Sequence, residues 1–410
     1  MTTLPAAPGE QATVGRRTRQ RGGVPWPEAR RRAAQAAALP PVRVSLTGAL
    51  GRVLADDLRA LGDLPATDNS AMDGWAVAGQ PPWRVVADLP AGRLHHGMLL
   101  SGECVRIATG ATVPDGTTSV LPVEGSVRDR TGIRPVEPSA EAPWGAHIRI
   151  GGEEARRGDV LITAGTLVTP PVIGLAAATG NDTLVVVPHA DVDVLVLGDE
   201  LLDSGLARHG RTRDALGPQL PGWLGALGAP ARSVRRLPDD VDVLTAAIVA
   251  SDATVVVTTG GTSVGAGDHL HAALARSGGH ALVDGVDVKP GHPMVLAALP
   301  GSPWLVGLPG NPLAACVALL TLLEPLLTAL HGDAPLPPST VRLAVDCPGR
   351  PGDGHRLIPV LRALDGSGDL QPSCGSAMLR GLAGASGLAV VGPEGAAKGD
   401  EVGYLRLPWP

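Results

Sequence analysis

The feature that most constrains the fold is a run of β-branched residues at 254–258 that breaks into glycines and small hydroxyls. The run has the composition of a buried strand. The glycines after it permit positive φ angles and a close approach of the backbone to a ligand: Gly260, Gly261, Gly265 and Gly267. Ser263 adds a hydroxyl group and Asp268 a carboxylate. Such a segment is either a cradle for an anion or a plain turn.

Two more predicted strands end in loops of the same kind. Residues 304–308 lead into Pro309, Gly310, Asn311 and Pro312, and residues 192–197 lead into Gly198, Asp199 and Glu200. Helical patterns at 241–250 and 269–277 lie between the strands. This alternation predicts a doubly wound α/β domain, which binds ligands beyond the carboxyl ends of its strands.

A long apolar helix is predicted at residues 313–330. Asn311 is a favourable N-cap and Pro312 suits the first helical position, so the free amides and the positive dipole end would face a ligand. Pro325 is expected to kink or break the helix near its last turns. Because Glu324 and Pro325 interrupt the apolar run, a core helix is favoured over a membrane span.

The rest of the chain has the composition of β structure. Short apolar runs between Gly and Pro turns predict a β-rich domain at 48–144 and a small β domain after Gly332. The strands expected in the second of these are 341–347, 355–364, 388–391 and 402–407, with a hairpin turn at 365–369. Helices are expected at 26–39 and 170–179.

Charged residues mark a candidate site in the α/β domain. Among the 34 lysines and arginines only Lys289 and Lys398 are lysines, so Lys289 is expected to supply a compact positive charge for a phosphate or oxyanion. Carboxylates near strand ends could hold Mg²⁺ beside a pyrophosphate: Asp199, Glu200, Asp239, Asp240 and Asp268. Helix capping explains Asp239 and Asp240 equally well, so Glu200 and Asp268 rank above them.

Composition argues against several classes of protein. The net charge of -6 gives no reason to expect a nucleic-acid partner. The four cysteines show no metal-binding spacing, so reduced thiols in a cytoplasmic protein are expected. Residues 1–24 are rich in Gly, Pro, Thr and Arg and are predicted to be a disordered tail.

Several segments together resemble the molybdopterin molybdotransferase family, which includes MoeA-like proteins and the gephyrin E domain. They are TDNSAMDGWAV at 67–77, GDEL at 198–201, TTGGTSVG at 258–265, KPGHP at 289–293 and LPGNP at 308–312. The first is the most specific, although an Asx turn before a strand would also explain its Asp and Gly residues. Residues 106–110 and 152–154 also resemble the family, and the resemblance covers nearly the whole chain after Val24.

The resemblance implies a multidomain α/β plus β fold. A doubly wound α/β molybdopterin-binding domain would be accompanied by an inserted β-rich domain and a small, β-barrel-like C-terminal domain. The implied divisions are a tail at 1–24, a split linking domain at 25–47 and 145–190, the insert at 48–144, the α/β domain at 191–332 and the C-terminal domain at 333–410.

The implied function is a step of molybdenum cofactor biosynthesis, in which molybdate is inserted into adenylylated molybdopterin with Mg²⁺-assisted release of AMP. The implied catalytic residues are Asp68, Glu200, Asp268 and Lys289. The implied substrate-binding residues are Ser70, Thr109, Gly260, Gly261, Ser263, Gly265, His292, Pro309, Gly310, Asn311 and Pro312. The implied metal ligands are Glu200, Asp239, Asp240 and Asp268.

The resemblance also implies partners. A homodimer is expected, in which the inserted domain of one subunit faces the α/β domain of the other. A molybdopterin adenylyltransferase would supply the substrate and a molybdoenzyme would receive the product. Neither a nucleic acid nor a membrane is expected as a partner.

Some positions depart from the family pattern: Glu154, Leu197, Ala215, Leu216, Gly285, His292 and Ala314. Gly285 and His292 stand where lysines are usual, and most of the other changes remove polar groups from the α/β domain. The sequence therefore leaves an alternative open. A catalytically weakened relative could bind a pterin or a nucleotide, or serve as a dimeric scaffold.

Overall fold

The structure, a computed structural model, describes residues 22–137, 143–262, 268–301, 303–335, 339–349, 352 and 354–409. The chain forms two compact units. The first contains the residues up to 36 together with 190–329 and 335 onward, and the second contains 37–189 and 330–334. Of the tail predicted at 1–24, residues 1–21 lie outside the described residues.

The first unit is built on a six-stranded sheet. Four parallel strands lie in the order Ala231–Leu237, Val192–Leu197, Val255–Thr259 and Trp304–Leu308. Two antiparallel strands, Val295–Ala298 and His280–Asp284, continue the sheet beyond the last of these. The predicted α/β fold is confirmed, and the sheet is mixed because one edge is antiparallel.

Helices cover both faces of this sheet. They are Leu220–Ala226, Val241–Val249, His269–Arg276 and Pro312–Leu330. The second and third of these helices pack on one face, against residues that include Leu195 and Leu305. Side chains alternate along a strand, so Val194 and Val257, which are fully buried, point to the opposite face. The first and fourth helices contact strands of the same sheet.

The long helix Pro312–Leu330 is continuous but irregular. Its middle residues, Leu319–Leu323, form a π-helical turn. In such a turn the carbonyl of Leu320 would accept from residue 325, which is a proline without an N–H group. That carbonyl accepts instead from the guanidinium of Arg30. Pro325 therefore changes the hydrogen-bond pattern, and the break expected at this position does not occur.

The long helix is also the one helix, among the described residues, that is long and apolar enough to cross a membrane. Within its most apolar stretch, 83% of the residues are buried inside the protein. Helix Trp26–Ala33 packs against it, with the indole Nε1 of Trp26 donating to Thr321 Oγ1 at 3.0 Å. The burial of the long helix agrees with the prediction of a core helix.

The N-terminal helix is shorter than the predicted span of 26–39. It ends at Ala33, and the amide of Leu39 donates to the carbonyl of Leu330, which turns the chain away from the helix axis. Residues up to 36 consequently belong to the first unit. The linking segment predicted at 25–47 is thus divided between the two units.

The C-terminal part of the first unit is a closed barrel, as predicted. Around the barrel the strands are His355–Arg362, Ser367–Leu370, Ser339–Leu343, Glu401–Arg406 and Gly387–Val391, and the last pairs again with the first. The interior contains Val341, Val360 and Ala389. The strand predicted at 341–347 is two strands, because Cys347–Pro348 leaves the barrel and pairs with Gly395–Ala396.

The second unit contains the β-rich segment. Its main sheet has the strands Arg84–Leu89, Glu103–Ile107, Gly74–Val77 and Ser119–Pro122, in that order. A hairpin joins Ser126–Asp129 to Gly132–Pro135. The remaining strands are Val42–Ser45, Thr183–Val187 and Val53–Leu54 in one sheet, Leu58–Arg59 with Val160–Ile162, and Asn69–Ser70 with Ile148–Arg149. The helices Leu46–Ala49 and Pro170–Ala178 pack beside the three-stranded sheet.

A buried carboxylate stabilises the α/β sheet near the amino ends of its parallel strands. Asp193 has a side chain that is 4% exposed and accepts from Arg232 Nη2 at 2.7 Å and from the hydroxyls of Ser233 and Ser251 at 2.6 Å each. The guanidinium of Arg232 and the two hydroxyls outweigh burial and hold the pKa of Asp193 well below its usual range. Their stabilising effect is therefore present above the unfolded pKa and is lost as the pH falls through the folded pKa.

Replacing Asp193 with Ala should lower the free energy of unfolding by about 1–3 kcal/mol at neutral pH, because three donors lose their buried acceptor. Urea denaturation would measure the change. The matched control is Asp252→Ala, because Asp252 contacts the same guanidinium at 2.6 Å but is 88% exposed, so little change is expected. Equal losses in the two variants would contradict the role given to Asp193.

Candidate active site

The glycine loops and part of the acidic set meet at a cavity of about 620 Å³, here called the carboxylate cavity. It lies beyond the carboxyl ends of Val192–Leu197, Val255–Thr259 and Trp304–Leu308, where a doubly wound domain binds its ligand. The structure brings these predicted site residues together in its wall: Glu200, Asp239, Gly260, Gly261, Gly310, Asn311 and Pro312. Ser263 and Gly265 lie outside the described residues.

The two described glycines of the loop have backbone conformations that favour glycine. Gly260 and Gly261 have φ angles of 82° and 67°. The amide of Gly260 donates to the carbonyl of Leu308 at 2.9 Å, and the carbonyl of Gly261 accepts from the amide of Leu270 at 3.2 Å. The loop is therefore held against a neighbouring strand end and a helix, which keeps its backbone at the cavity wall.

The acidic residues of the cavity come from two loops that hold each other. The amide of Asp199 donates to Asp239 Oδ2 at 3.2 Å, and the amide of Asp239 donates to Asp199 Oδ1 at 3.4 Å. Glu200 follows directly and is exposed at the cavity wall. The arrangement places the carboxylates of Glu200 and Asp239 on one cavity.

Asp240 and Asp268 act as helix caps. Asp240 Oδ1 accepts from the amides of Asp242 and Val243 at 2.7 and 3.0 Å, and these bonds hold the pKa of Asp240 below its usual range. Asp268 Oδ1 accepts from the amide of His271 at 3.2 Å and lies 2.5 Å from the Nδ1 atom of the same residue. Among the described residues no group of three or more His, Cys, Asp and Glu side chains is spaced to hold a metal ion.

A second cavity of about 1170 Å³ adjoins the first, because Asn311 lines both. We call it the cationic cavity, since its wall contains Lys289 and Arg356; His292 and Asp287 also line it. Strand Val286–Lys289 pairs in parallel with the first barrel strand, and in this register Lys289 is the direct partner of Arg356. Neighbouring strands lie about 4.8 Å apart, so the two positive residues stand side by side.

Hydrogen bonds to backbone carbonyls hold two side chains of this wall in place. Arg356 Nη1 donates to the carbonyl of Pro348 at 2.9 Å, and His292 Nδ1 donates to the carbonyl of Val286 at 2.7 Å. The imidazole of His292 therefore has its Nε2 atom left for other partners. Pro309, another predicted substrate contact, lies in the wall of the same cavity.

The first turn of the long helix is hydrogen-bonded to the C-terminal domain. Asn311 is at the N-cap position but its side chain makes no capping hydrogen bond. The amide of Ala314 donates to the carbonyl of Ser376 at 3.1 Å. One of the amides expected to face a ligand is thus already bonded, while Asn311 itself lines both cavities.

The remaining predicted residues belong to the second unit. Asp68 is exposed, and its Oδ1 accepts from the amide of Gly151 at 2.7 Å. Thr109 is exposed, and both its amide and its hydroxyl donate to Asp73 Oδ1, at 2.6 and 2.9 Å. These two bonds hold the pKa of Asp73 below its usual range. Asp73 therefore positions the Thr109 loop.

Ser70 does not fit its predicted role as a substrate contact in this conformation. It is fully buried, and its hydroxyl donates to the carbonyl of Met72 at 2.6 Å. Its backbone pairs with Gly110 and Ala111 of the Thr109 loop. The serine is thus a structural residue within the motif, because its short side chain fills the turn.

Sequence reasoning missed two sets of residues at the cavities. Arg356 and the segment 374–376 come from the barrel domain and reach the cationic cavity only through tertiary pairing. Asp214 lines the carboxylate cavity and accepts from the amides of Leu216 and Gly217 at 2.9 Å each and from Arg236 at 2.8 Å. An Asp followed three residues later by Gly was the available local signal for such a turn.

Most departures from the family pattern fall at the two cavities. Leu197, Ala215 and Leu216 line the carboxylate cavity, and His292 and Ala314 line the cationic cavity. A Cβ atom on Gly285 would lie 3.4 Å from His292 Nε2, and Gly285 has a φ angle of 78°, which a side chain would strain. The histidine ring thus lies close to where a side chain at position 285 would begin. Glu154 lies in the second unit.

His271 joins the end of the glycine loop to the antiparallel edge of the sheet. Its Nδ1 contacts Asp268 as described, and its Nε2 lies 2.8 Å from Asp284 Oδ1. Burial lowers the pKa of His271, but the hydrogen bonds to Asp284 and Asp268 outweigh burial and raise it above the ordinary 6.5. A charged ring can donate to both carboxylates, whereas a neutral ring can donate to only one.

The stabilisation from His271 should consequently depend on pH. Because the folded pKa is raised, the effect is fully present below about pH 6.5 and is lost as the pH rises through the folded value. We expect His271→Asn to destabilise the protein most at pH 5.5 and progressively less toward pH 9, as measured by urea denaturation. His280→Asn is the control, since His280 is exposed on the same edge strand. A loss that does not vary with pH would refute the ionic contact.

The fold and the cavities define a class of protein. It is an α/β protein that presents glycine loops, carboxylates and an adjoining cationic wall at the carboxyl edge of its sheet, as expected for a phosphorylated ligand. Comparisons with known proteins narrow this class. Residues 24–180 match the MoeA N-terminal region (domain I and II), and residues 193–329 match the probable molybdopterin binding domain.

Relatives with assigned names support the same family. Molybdopterin molybdenumtransferase 2 of Mycobacterium tuberculosis is 36% identical over 310 residues, which are 71% of this chain and 76% of the relative. The molybdopterin molybdenumtransferase of Synechococcus elongatus is 32% identical over 312 residues, covering 72% of this chain and 77% of the relative. The chain belongs to the molybdopterin molybdenumtransferase family, a family of transferases of molybdenum cofactor biosynthesis.

The solved structures agree on the fold. The crystal structure of the molybdopterin biosynthesis MoeA protein from Pyrococcus horikoshii covers 95% of this chain, with all of its own chain matched, at a TM-score of 0.77 and 23% identity. The crystal structure of the molybdopterin biosynthesis MoeA protein from Pyrococcus horikoshii OT3 covers 93% of this chain and 99% of its own chain, at a TM-score of 0.71 and 22% identity. The multidomain α/β plus β fold predicted from the sequence is therefore shared with solved proteins.

Proposed function

We propose that the protein inserts molybdate into adenylylated molybdopterin and releases AMP. The observation that carries this proposal is the pair of adjoining cavities, one lined by Lys289, His292 and Arg356 and the other by Glu200 and Asp239. Molybdate is an oxyanion, which suits the paired cations. The pyrophosphate of the second substrate suits glycine loops and carboxylates that can share a divalent cation with it.

The residues present fit Mg²⁺ in the carboxylate cavity. This ion usually binds one or two carboxylates together with substrate phosphates, and Glu200 and Asp239 supply two carboxylates at one wall. When bound, Mg²⁺ would neutralise phosphate charge and assist the departure of AMP. Asp240 and Asp268, predicted as further ligands, are engaged in capping their helices.

The roles of the chain's own residues follow from their positions. Lys289 and Arg356 would hold the oxyanion, and Asn311, which lines both cavities, would contact the substrate where the two meet. In the proposed reaction the two dithiolene sulfurs bond to molybdenum while an oxygen of molybdate leaves with their protons as water, and water cleaves the phosphoanhydride bond into the phosphate of the pterin and AMP. Gly260 and Gly261 let the backbone approach the phosphates closely.

The test of this function is genetic and quantitative. The gene should restore the activity of a molybdenum-dependent reductase in a bacterial strain that lacks its own molybdenumtransferase, at ordinary molybdate concentrations. Restoration only at very high molybdate would instead support the weakened relative, in which the departures at Leu197, Ala215 and Leu216 limit binding. No restoration at any concentration, with soluble protein present, would refute the proposed reaction.

We further infer that the protein works as a cytoplasmic homodimer, with Asp68 and Thr109 of one subunit completing the site of the other. Mixing inactive Asp68→Asn and Glu200→Gln proteins under conditions of subunit exchange should then restore up to about half a wild-type site per dimer, because an isologous dimer has two equivalent clefts. Mass spectrometry would verify exchange. Exchange without recovery of activity would exclude a shared site. An adenylyltransferase and a molybdoenzyme are the proposed partners before and after this step.

A further inference from the structure

A histidine lies in the wall of the carboxylate cavity, beside the glycine loop. His269 is the first residue of helix His269–Arg276 and lines the cavity together with Gly260 and Gly261. It directly follows Asp268, which is the N-cap residue of this helix. The imidazole is therefore attached to a rigid element at the wall where the glycine loop would approach the phosphates of a ligand.

Two backbone amides at the start of this helix are already hydrogen-bonded. The amide of Leu270 donates to the carbonyl of Gly261 at 3.2 Å, and the amide of His271 donates to Asp268 Oδ1 at 3.2 Å. These are amides that a helix leaves without a partner inside the helix itself. Because they are occupied, a ligand at this wall has to find a donor elsewhere, and the side chain of His269 can supply one.

The imidazole of His269 has one nitrogen that is buried without a partner. Its Nδ1 atom is closed to solvent and makes no hydrogen bond with the residues that the structure describes. A proton on Nδ1 would be a buried donor without an acceptor, which costs free energy of folding and is rarer in proteins than an unpaired acceptor. A ring with one proton therefore carries it on Nε2, and Nε2–H is the donor that the ring offers to a ligand.

The charges near His269 are mostly negative. Glu200 and Asp239 line the same cavity. The pKa of Asp240 is lowered chiefly by the two amides that it caps, and also by the nearby imidazole of His269. A phosphate that enters this wall needs donors to offset the repulsion of the carboxylates. Among the described residues of the wall, Arg213 is the one arginine or lysine, and part of its guanidinium group is bonded to a backbone carbonyl.

We propose that His269 is a further substrate-binding residue of the carboxylate cavity, and that its Nε2–H donates to an oxygen of the substrate's pyrophosphate group, which rests on the proposed function for the identity of that substrate. A hydrogen bond to a charged oxygen is about twice as strong as one between neutral groups. The bond holds the pyrophosphate beside the glycine loop while its phosphoanhydride bond is cleaved. This role needs a donor at one position of the ring and involves no transfer of its proton.

Three full-length variants at this position test the donor. The amide nitrogen of Gln can reach the position of Nε2, whereas the shorter side chain of Asn brings its amide nitrogen to the position of Nδ1. His269→Gln therefore keeps the proposed donor, His269→Asn displaces it and His269→Leu removes it. Isothermal calorimetry measures the affinity for inorganic pyrophosphate in the presence of Mg²⁺, and steady-state kinetics give kcat/KM for adenylylated molybdopterin. Urea denaturation verifies that each variant is folded.

We expect His269→Leu and His269→Asn to bind pyrophosphate roughly 10-fold more weakly than wild type, and His269→Gln to stay within about threefold of it. The values of kcat/KM should follow the same order. Gln and Asn are both polar amides, so their comparison decides the question even if Leu perturbs the fold. Wild-type affinity in His269→Asn, or an equal loss of affinity in His269→Gln and His269→Asn, would overturn the proposal.

The proposed function and the role of His269 fail in different ways. If the wild-type protein shows no turnover of adenylylated molybdopterin, the proposed function fails, whereas the pyrophosphate titrations still decide on His269. If turnover is present and all three variants bind pyrophosphate as the wild type does, only the proposal for His269 fails.

Discussion

Replacing Glu200 with Gln is expected to lower kcat/KM for molybdate insertion by roughly 100-fold or more, or about 2.7 kcal/mol of transition-state stabilisation. Glutamine keeps the size of the side chain and removes its charge, so the effect reports on the carboxylate. Glu200 is exposed at the wall of the carboxylate cavity, and Gly198, with a φ angle of 136°, shapes the turn that carries it. The measurement is steady-state turnover as a function of Mg²⁺ concentration.

The neighbouring acid Asp240 supplies the control for this prediction. Asp240 caps a helix through two backbone amides, and Asn caps helices about as well as Asp. Asp240→Asn should therefore keep wild-type turnover and the wild-type Mg²⁺ requirement. If Glu200→Gln retained full activity at every Mg²⁺ concentration, the carboxylate cavity would not be the site of phosphate cleavage.

Replacing Lys289 with Ala is expected to weaken the binding of molybdate by about 1.5–3 kcal/mol, the usual range for a hydrogen bond to a charged group. In dissociation constant this is roughly 10- to 150-fold. The physical reason is the register that sets Lys289 beside Arg356, since removal of one cation leaves the oxyanion with a single strong partner. Isothermal calorimetry would measure the affinity.

Lys398 offers a matched control, because it is the other lysine of the sequence. Its backbone amide donates to Asp346 Oδ1 at 2.7 Å, a bond that Lys398→Ala preserves. The control should bind molybdate as the wild type does. An unchanged affinity in Lys289→Ala, with the same thermal stability as wild type, would remove this lysine from the binding site.

The departures from the family pattern bear on both predictions. At three positions an apolar side chain stands where the family pattern has a polar group: Leu197, Ala215 and Leu216. The acidic residues Glu200, Asp214 and Asp239 nevertheless line the same cavity. The wall of the cationic cavity retains Lys289. Position 285 is a glycine and therefore contributes no positive charge. The expected consequence is weaker binding of the oxyanion, so that turnover depends more strongly on Lys289 and Arg356.

Local features of the site were predictable because they depend on residues that are close in sequence. The strands Val192–Leu197 and Trp304–Leu308 have the bounds that were predicted, since β-branched and apolar runs ending in Gly or Pro leave few alternatives. The glycine loops after them were expected at the carboxyl edge, because parallel strands separated by helices must all end there. Family motifs supplied the expected ligand, which composition alone could not.

Tertiary structure decided which side chains share a cavity. Five carboxylates near strand ends were candidate metal ligands on sequence alone. Only the fold shows that Glu200 and Asp239 line the cavity, whereas Asp240 and Asp268 cap helices. The orientation of a short acidic side chain depends on which backbone amides are free beside it, and local sequence leaves both choices open. Ser70 shows the same limit, because local sequence does not reveal that its hydroxyl is buried and donates to the carbonyl of Met72.

What the sequence determined by itself was the order of elements and the family, because periodicity, caps and contiguous motifs are encoded within short segments. What only the tertiary structure decided was the pairing of Lys289 with Arg356, the closure of the barrel and the attachment of Gly23 to Asp287. These contacts join residues that are distant along the chain, and their register is set by the packing of whole strands. The cationic cavity exists through such contacts, so no local pattern could have predicted it.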